Sequence, residues 1–198
     1  MKRILLPALL AALLLTGCAA QTGPTNEELG WDKDWARVGV LLGVEPMDGF
    51  TLNENKDVMG IYGLYYATWT AGEAQDYTNA DGEDAQLYDA QIYVLLQQSK
   101  NADEARAALE DWTGRERENY EAGETLAEAC AGQEFDLFPL LQSAEDNPYT
   151  HGAAAFAVRD NWTVSVELLG QDSFEGDART CLIEFLSGFH YSDEQEAE

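Results

Sequence analysis

AAAFAVRDNWTVSVELL, residues Ala153 to Leu169, reads as two strands joined by a two-residue turn. Asp160-Asn161 tolerates the left-handed backbone that a tight hairpin requires, and the flanking runs have the period of two that a pleated strand imposes. In the second run Trp162, Val164, Val166 and Leu168 point one way, and Thr163, Ser165 and Glu167 point the other. The expected sheet therefore has a core face and a wetter face. Ala153, Ala155 and Ala157 are small enough to let a helix approach closely.

Working outward, a final helix is expected from about Gly176 to Phe189, because Ala178, Cys181, Leu182, Phe185, Leu186 and Phe189 form a continuous apolar stripe. Upstream, Leu87 to Gln97 alternates, with Tyr88, Ala90, Ile92, Val94 and Leu96 facing the core and Asp89, Gln91, Tyr93 and Gln97 facing away. Met59 to Thr70, MGIYGLYYATWT, is aromatic on both faces and reads as a central strand, while the glycines and Asn79 within Ala71 to Gln86 mark a hairpin connection. Asn101 and Glu104 have the spacing of a helix cap, and Ala105, Ala108, Leu109 and Trp112 continue a helical stripe to Gly114.

Helix is expected in part from about Glu124 to Ala131, and a short edge strand or loop from Phe135 to Leu141 because Pro139 cannot donate to a ladder. Before all of these, Trp31, Trp35, Val38 and Leu42 place a helix over Glu27 to Gly43, ended by the breaks at Glu45-Pro46 and Asp48-Gly49. This order defines an α+β class: an antiparallel sheet of about four to six strands, helices packed mainly on one face, and a C-terminal amphipathic helix. Similar element orders occur in the PsbP and Mog1-like family. That likeness rests on order alone, with no shared motif, and implies no activity.

The amino terminus supplies an address. Lys2 and Arg3 precede an apolar run from Ile4 to Leu15, which is shorter than the ~20 residues needed to span a bilayer. Leu15-Thr16-Gly17-Cys18 then resembles the bacterial lipoprotein signal. The resemblance implies diacylglyceryl transfer to the Cys18 thiol, cleavage before Cys18, and partnership with the lipid bilayer through acyl chains. Two or more such chains hold a protein stably where one holds it marginally. The expected organisation is a signal peptide over 1–17, a flexible tether over 18–26, one domain over 27–192 and an acidic tail over 193–198. The protein is then extracytoplasmic and anchored to the cell membrane by lipid.

Cleavage removes two cations from a chain of net charge −26, leaving −28. Nucleic acid is excluded as a partner, since binding it needs clustered Lys and Arg. The acidity suits solubility outside the cell or attraction of cations, and an envelope protein or glycan remains as the expected partner class.

Catalytic signals are sparse. The exported context allows a disulfide between Cys130 and Cys181, although Cys181 also fits a buried stripe as a free thiol. His151 and His190 sit at no spacing to these cysteines that marks a nucleophile or zinc site. Tyr77 to Gly82 resembles the start of a calcium loop in Asn79, Asp81 and Gly82, yet tyrosines stand at its first and twelfth positions; a turn accounts for it better, with weak cation binding by Asp76, Asp81, Glu83 and Asp84 as the alternative. No phosphate loop or serine elbow is present, and neither a cofactor nor a metal is expected.

The sheet face opposite the core is more informative. Tyr62, Tyr66, Thr68 and Thr70 project there, joined by Gln91, Tyr93, Gln97, Thr163, Ser165 and Glu167. Tyrosine with Gln, Thr and Ser makes adaptable binding surfaces, with Tyr62, Tyr66, Gln91, Tyr93, Thr163 and Ser165 as the ligand-binding candidates. An ordinary solvated face has the same composition. The expectation is a binding or interaction module; the rival is an envelope hydrolase working through carboxylates.

Overall fold

The computed structural model describes residues 47–57, 63–78, 82–130, 132–143 and 147–188. The signal, the tether, the 27–43 helix, Tyr62, His190 and the acidic tail lie outside the described residues. Among the described residues, ten strands and two helices follow in order: β1 Thr51–Asp57, β2 Leu64–Ala71, β3 Gln75–Thr78, β4 Asp84–Leu87, β5 Ala90–Gln98, α1 Ala102–Asn119, β6 Tyr120–Ala122, β7 Leu126–Cys130, β8 Gln133–Ser143, β9 His151–Arg159, β10 Trp162–Gly170 and α2 Ala178–Ser187. Eight strands form one antiparallel sheet in the order β1-β2-β5-β10-β9-β8-β6, with β7 also paired to β8. The α+β class is as expected, but the sheet is larger than four to six strands. β3 and β4 form a separate two-stranded ribbon within the expected hairpin connection.

The hairpin at the heart of the reading forms with Arg159 paired to Trp162 and Asp160 in the left-handed region at φ 54°. Asn161 fastens it to the end of β5: its Nδ2 donates to the Ser99 carbonyl at 2.7 Å, and the Ser99 N–H donates to the Asn161 carbonyl at 2.8 Å. One sheet face carries Tyr65, Ala67, Trp69, Ile92, Val94, Leu96, Val164, Val166 and Leu168, packed against Leu182, Phe185 and Leu186 of α2. The Trp69 and Phe185 rings meet edge to face at 4.9 Å. Asp177 caps α2 by accepting the Thr180 N–H at 2.7 Å.

The second helix lies on the other face. α1 contacts β9, β10 and β6, where Leu109 and Trp112 pack on Tyr120, Phe138, Leu140, Ala154 and Phe156. This corrects the expectation of helices mainly on one face. The cause is visible in β8 and β9, whose alternate positions are apolar too, so this half of the sheet has two core faces and needs a cover on each. Asn101 caps α1 as expected, accepting the Glu104 N–H at 2.9 Å. The helix runs through Gly114 to Asn119, since one interior glycine costs only about 1 kcal/mol.

The helix expected from Glu124 to Ala131 is instead strand β7, paired with the first half of β8. Its Glu and Ala residues favour helix weakly, and pairing in the sheet overrides that preference. β8 is likewise no edge: it pairs with β9 on one side and with β6 and β7 on the other. Pro139 sits where its second neighbour changes from β7 to β6. The Gly123 N–H donates to the Pro139 carbonyl at 2.8 Å, so the missing N–H points into the same gap and leaves no ladder partner unmet. A Cβ on Gly123 would lie 2.5 Å from the Pro139 ring, which accounts for glycine there.

Candidate functional site: a polar half-face beside two carboxyls

The sheet registers place Glu54, Thr68, Tyr93, Glu167, Ala154 and Phe138 in one row across β1, β2, β5, β10, β9 and β8. The row changes character along its length. Its β8–β9 end is apolar and lies under α1, whereas its β1–β5 end is polar and aromatic and lies to the side of the helix.

The face is therefore not an open, solvated surface. Among the candidates, Thr163 is 0% exposed, Ser165 3% and Gln91 8%, while Tyr66 and Tyr93 are half-buried. Thr163 and Ser165 have internal partners: the Thr163 hydroxyl donates to the Ala105 carbonyl at 2.9 Å, and that of Ser165 to Glu167 Oε1 at 2.6 Å. Gln91 Oε1 accepts two phenols, Tyr93 at 2.7 Å and Tyr149 at 2.8 Å. Tyr149 is itself placed by Asn147, whose Oδ1 accepts the Tyr149 N–H at 3.0 Å and whose Nδ2 donates to the Tyr120 phenol at 2.8 Å. The Tyr66 and Tyr93 rings lie 6.3 Å apart and tilted by 42°. Four phenols thus gather around one end of α1.

Two carboxyls complete the group. Glu116 extends from the last turns of α1, and Glu167 stands on β10. Burial, then the neighbouring Glu167 charge, pushes the Glu116 carboxyl up to about 9. Burial also raises Glu167, against the opposing effect of the Ser165 hydrogen bond. The same removal from water raises all four phenols, with Tyr149 pushed up to about 12. At neutral pH the phenols are neutral and the carboxyl pair keeps a proton. In register with Tyr93, Thr68 is 0% exposed, and its hydroxyl has no hydrogen-bond partner among the described residues.

The arginines of α1 are engaged elsewhere: Arg106 pairs with Asp103 and Arg115 with Asp111, while Arg117 donates to Thr125 and lies 4.2 Å over the Phe138 ring. Lys56 stands in register with Tyr66 on β1. The arrangement can keep one carboxyl protonated near a second, accept N–H donors, and offer ring faces.

Other sequence candidates fall away from this site. Cys130 and Cys181 are free thiols, so the disulfide alternative gives way to the unbridged one; Cys130 is buried and Cys181 packs against the α2-side core. Their thiols are raised, chiefly by burial, which leaves them weak nucleophiles. His151 stacks near Phe174 and meets the Thr150 hydroxyl at 3.1 Å. On the β3–β4 ribbon, Asp76 accepts a hydrogen bond from Gln86 at 2.8 Å across an exposed pair of strands; Asp81 lies outside the described residues. Among the described residues no three His, Cys, Asp or Glu side chains converge as a metal site.

Glu116, Tyr120 and Tyr149 were not among the sequence candidates. The signal for Glu116 was present: Ala105, Leu109, Trp112 and Glu116 follow one another at helical spacing, which puts a carboxyl on an apolar stripe. No family model, curated protein or solved structure matches this chain.

Proposed function

We propose that the chain is a lipid-anchored, extracytoplasmic binding domain of the cell envelope, whose recognition site is the polar half-face of Tyr66, Thr68, Gln91 and Tyr93 beside Glu116 and Glu167. The anchor rests on Leu15-Thr16-Gly17-Cys18, and the compartment accords with an acidic chain of net charge −26. The observation that carries the site is the unpartnered Thr68 hydroxyl: a buried polar group without a partner is a standing cost of about 1–3 kcal/mol, which a ligand donor would remove. Thr163 and Ser165 act in this reading as supports, because their hydroxyls are already committed. The test is retention of the full-length protein on immobilised envelope material, compared with Tyr66→Phe and Thr68→Val. Folded variants that bind as well as the parent refute the site.

A second reading, an envelope hydrolase, is favoured by one feature, two neighbouring carboxyls that burial raises. Such a couple supplies the general acid and base of glycoside hydrolysis. Release of new reducing ends from purified cell-wall glycan, abolished by both Glu116→Gln and Glu167→Gln, would select it.

A further inference from the structure

We propose that residues 27–43 dock as an amphipathic helix along β2 and β5 on the α2 side of the sheet, with the Trp31 indole seated beside Gln98. The inference stands apart from the recognition half-face, which lies on the opposite side of the sheet.

The described helices do not account for the burial of this strip. α2 packs chiefly on β9 and β10 and reaches β2 through the Phe185–Trp69 contact. In the order β2-β5-β10-β9, strands about 4.8 Å apart put β2 about 12 Å from a helix axis between β9 and β10, beyond the reach of a helix about 10 Å wide. Yet Ala67, Val94 and Leu96 are all 0% exposed, and Tyr65 is 3%. Gln98 follows Val94 and Leu96 on the same face of β5; it is 5% exposed, and its Oε1 has no hydrogen-bond partner among the described residues. A buried acceptor of that kind calls for a donor.

The sequence supplies an occupant. The chain enters β1 through Met47 and Phe50, which belong to the same core, with the Phe50 ring 6.2 Å from that of Phe174. Phe50 precedes the Thr51–Thr70 pair, so this entry lies at the Trp69–Ile92 end of the strip. Only Val44 to Pro46 separate it from the stripe of Trp31, Trp35, Val38 and Leu42. From Leu42 to Trp31 a helix climbs about 16 Å, and from Ile92 to Gln98 a strand climbs about 20 Å. Helical side chains lean toward the amino terminus, so a helix with Leu42 over Ile92 carries the Trp31 indole to the level of Gln98. The indole N–H only donates, and Gln98 Oε1 only accepts. Gly30 and Gly39 weaken the helix in isolation, so its order depends on the sheet.

Other occupants fit less well. Residues 189–198 offer Phe189 and Tyr191 and then become acidic. A second copy brings one net charge of −26 against another. On the anchor reading, docking leaves residues 18–26 as the tether, at most about 30 Å long, and turns the Gln98 end of the sheet toward the bilayer.

The experiment is photo-crosslinking of the full-length protein in detergent micelles, with p-benzoylphenylalanine in place of Trp35 and, separately, of Lys33 or Phe189. Position 35 should link to β2 or β5 of the same chain, and position 33, on the far side of the helix, should not. Hydrogen exchange of the unlabelled protein serves where a label prevents folding: the amides of 31–42 should exchange at least about 100-fold more slowly than those of an unstructured chain. In indole 15N spectra the signal missing in Trp31→Phe should be the one that Gln98→Leu displaces. Links from position 35 that avoid β2 and β5, links between two copies, a β2–β5 link from position 189 instead of 35, unprotected exchange of 31–42, or a Trp31 signal unmoved by Gln98→Leu each overturn the proposal.

Discussion

Replacing Glu116 by glutamine should change how stability depends on pH. In the folded chain burial and the nearby Glu167 keep this carboxyl protonated up to about 9, whereas in the unfolded chain it ionises near the ordinary carboxylate range. Between those limits the folded state holds the extra proton. The stability that Glu116 contributes is complete below the unfolded range and is lost as pH rises toward about 9. At about 1.4 kcal/mol per pH unit, the interval from pH 5 to pH 8 removes about 4 kcal/mol. The loss belongs to the pair, because Glu167 is raised in the same direction. Tyr120 on β6, Tyr93 on β5 and Tyr149 face the same group and stay neutral throughout this interval. Glutamine resembles the protonated acid in shape and does not titrate. Urea unfolding of parent and Glu116→Gln at both pH values isolates the effect: the variant should gain several kcal/mol on the parent between pH 5 and pH 8. A stability difference that stays constant across the interval refutes the buried-proton argument.

Phe185→Ala removes the ring that meets Trp69 at 4.9 Å in the α2-side core and should cost about 3–5 kcal/mol in denaturant unfolding. Gly123→Ala drives a Cβ into the rigid Pro139 ring and should cost about 1–3 kcal/mol, with the β6–β8 amides losing exchange protection first. Asn101→Ala leaves the Glu104 N–H without its cap and should cost about 1 kcal/mol, read as a lowered Tm. Cys18→Ala should abolish incorporation of labelled palmitate and release the protein from the membrane fraction; unchanged labelling contradicts the anchor.

The parts of the fold legible in the sequence were those where one local pattern decided the outcome. β5 and β10 alternate apolar with polar residues, so their faces could be read residue by residue. Asn101 marked the start of α1 through a hydrogen bond spanning only three residues. β1 was missed because TLNENKD is polar and gains its place by pairing with β2. β7 was missed because LAEAC carries helix formers, and Gly114 misled because a long helix tolerates one glycine. The second core face was hidden in Phe138, Ala154 and Phe156, each of which stands in a strand already credited with one apolar face. Tyr66, Gln91 and Tyr93 were found as a surface pattern, but α1 settles on part of that surface through contacts distant in sequence, and it brings Glu116 with it.

Carboxyl carbon NMR of the full-length protein with 13C-labelled glutamate, recorded at pH about 7, tests the central claim most directly. The account predicts a protonated carboxyl signal that is missing in Glu116→Gln. A spectrum in which Glu116 and Glu167 are both ionised would contradict it.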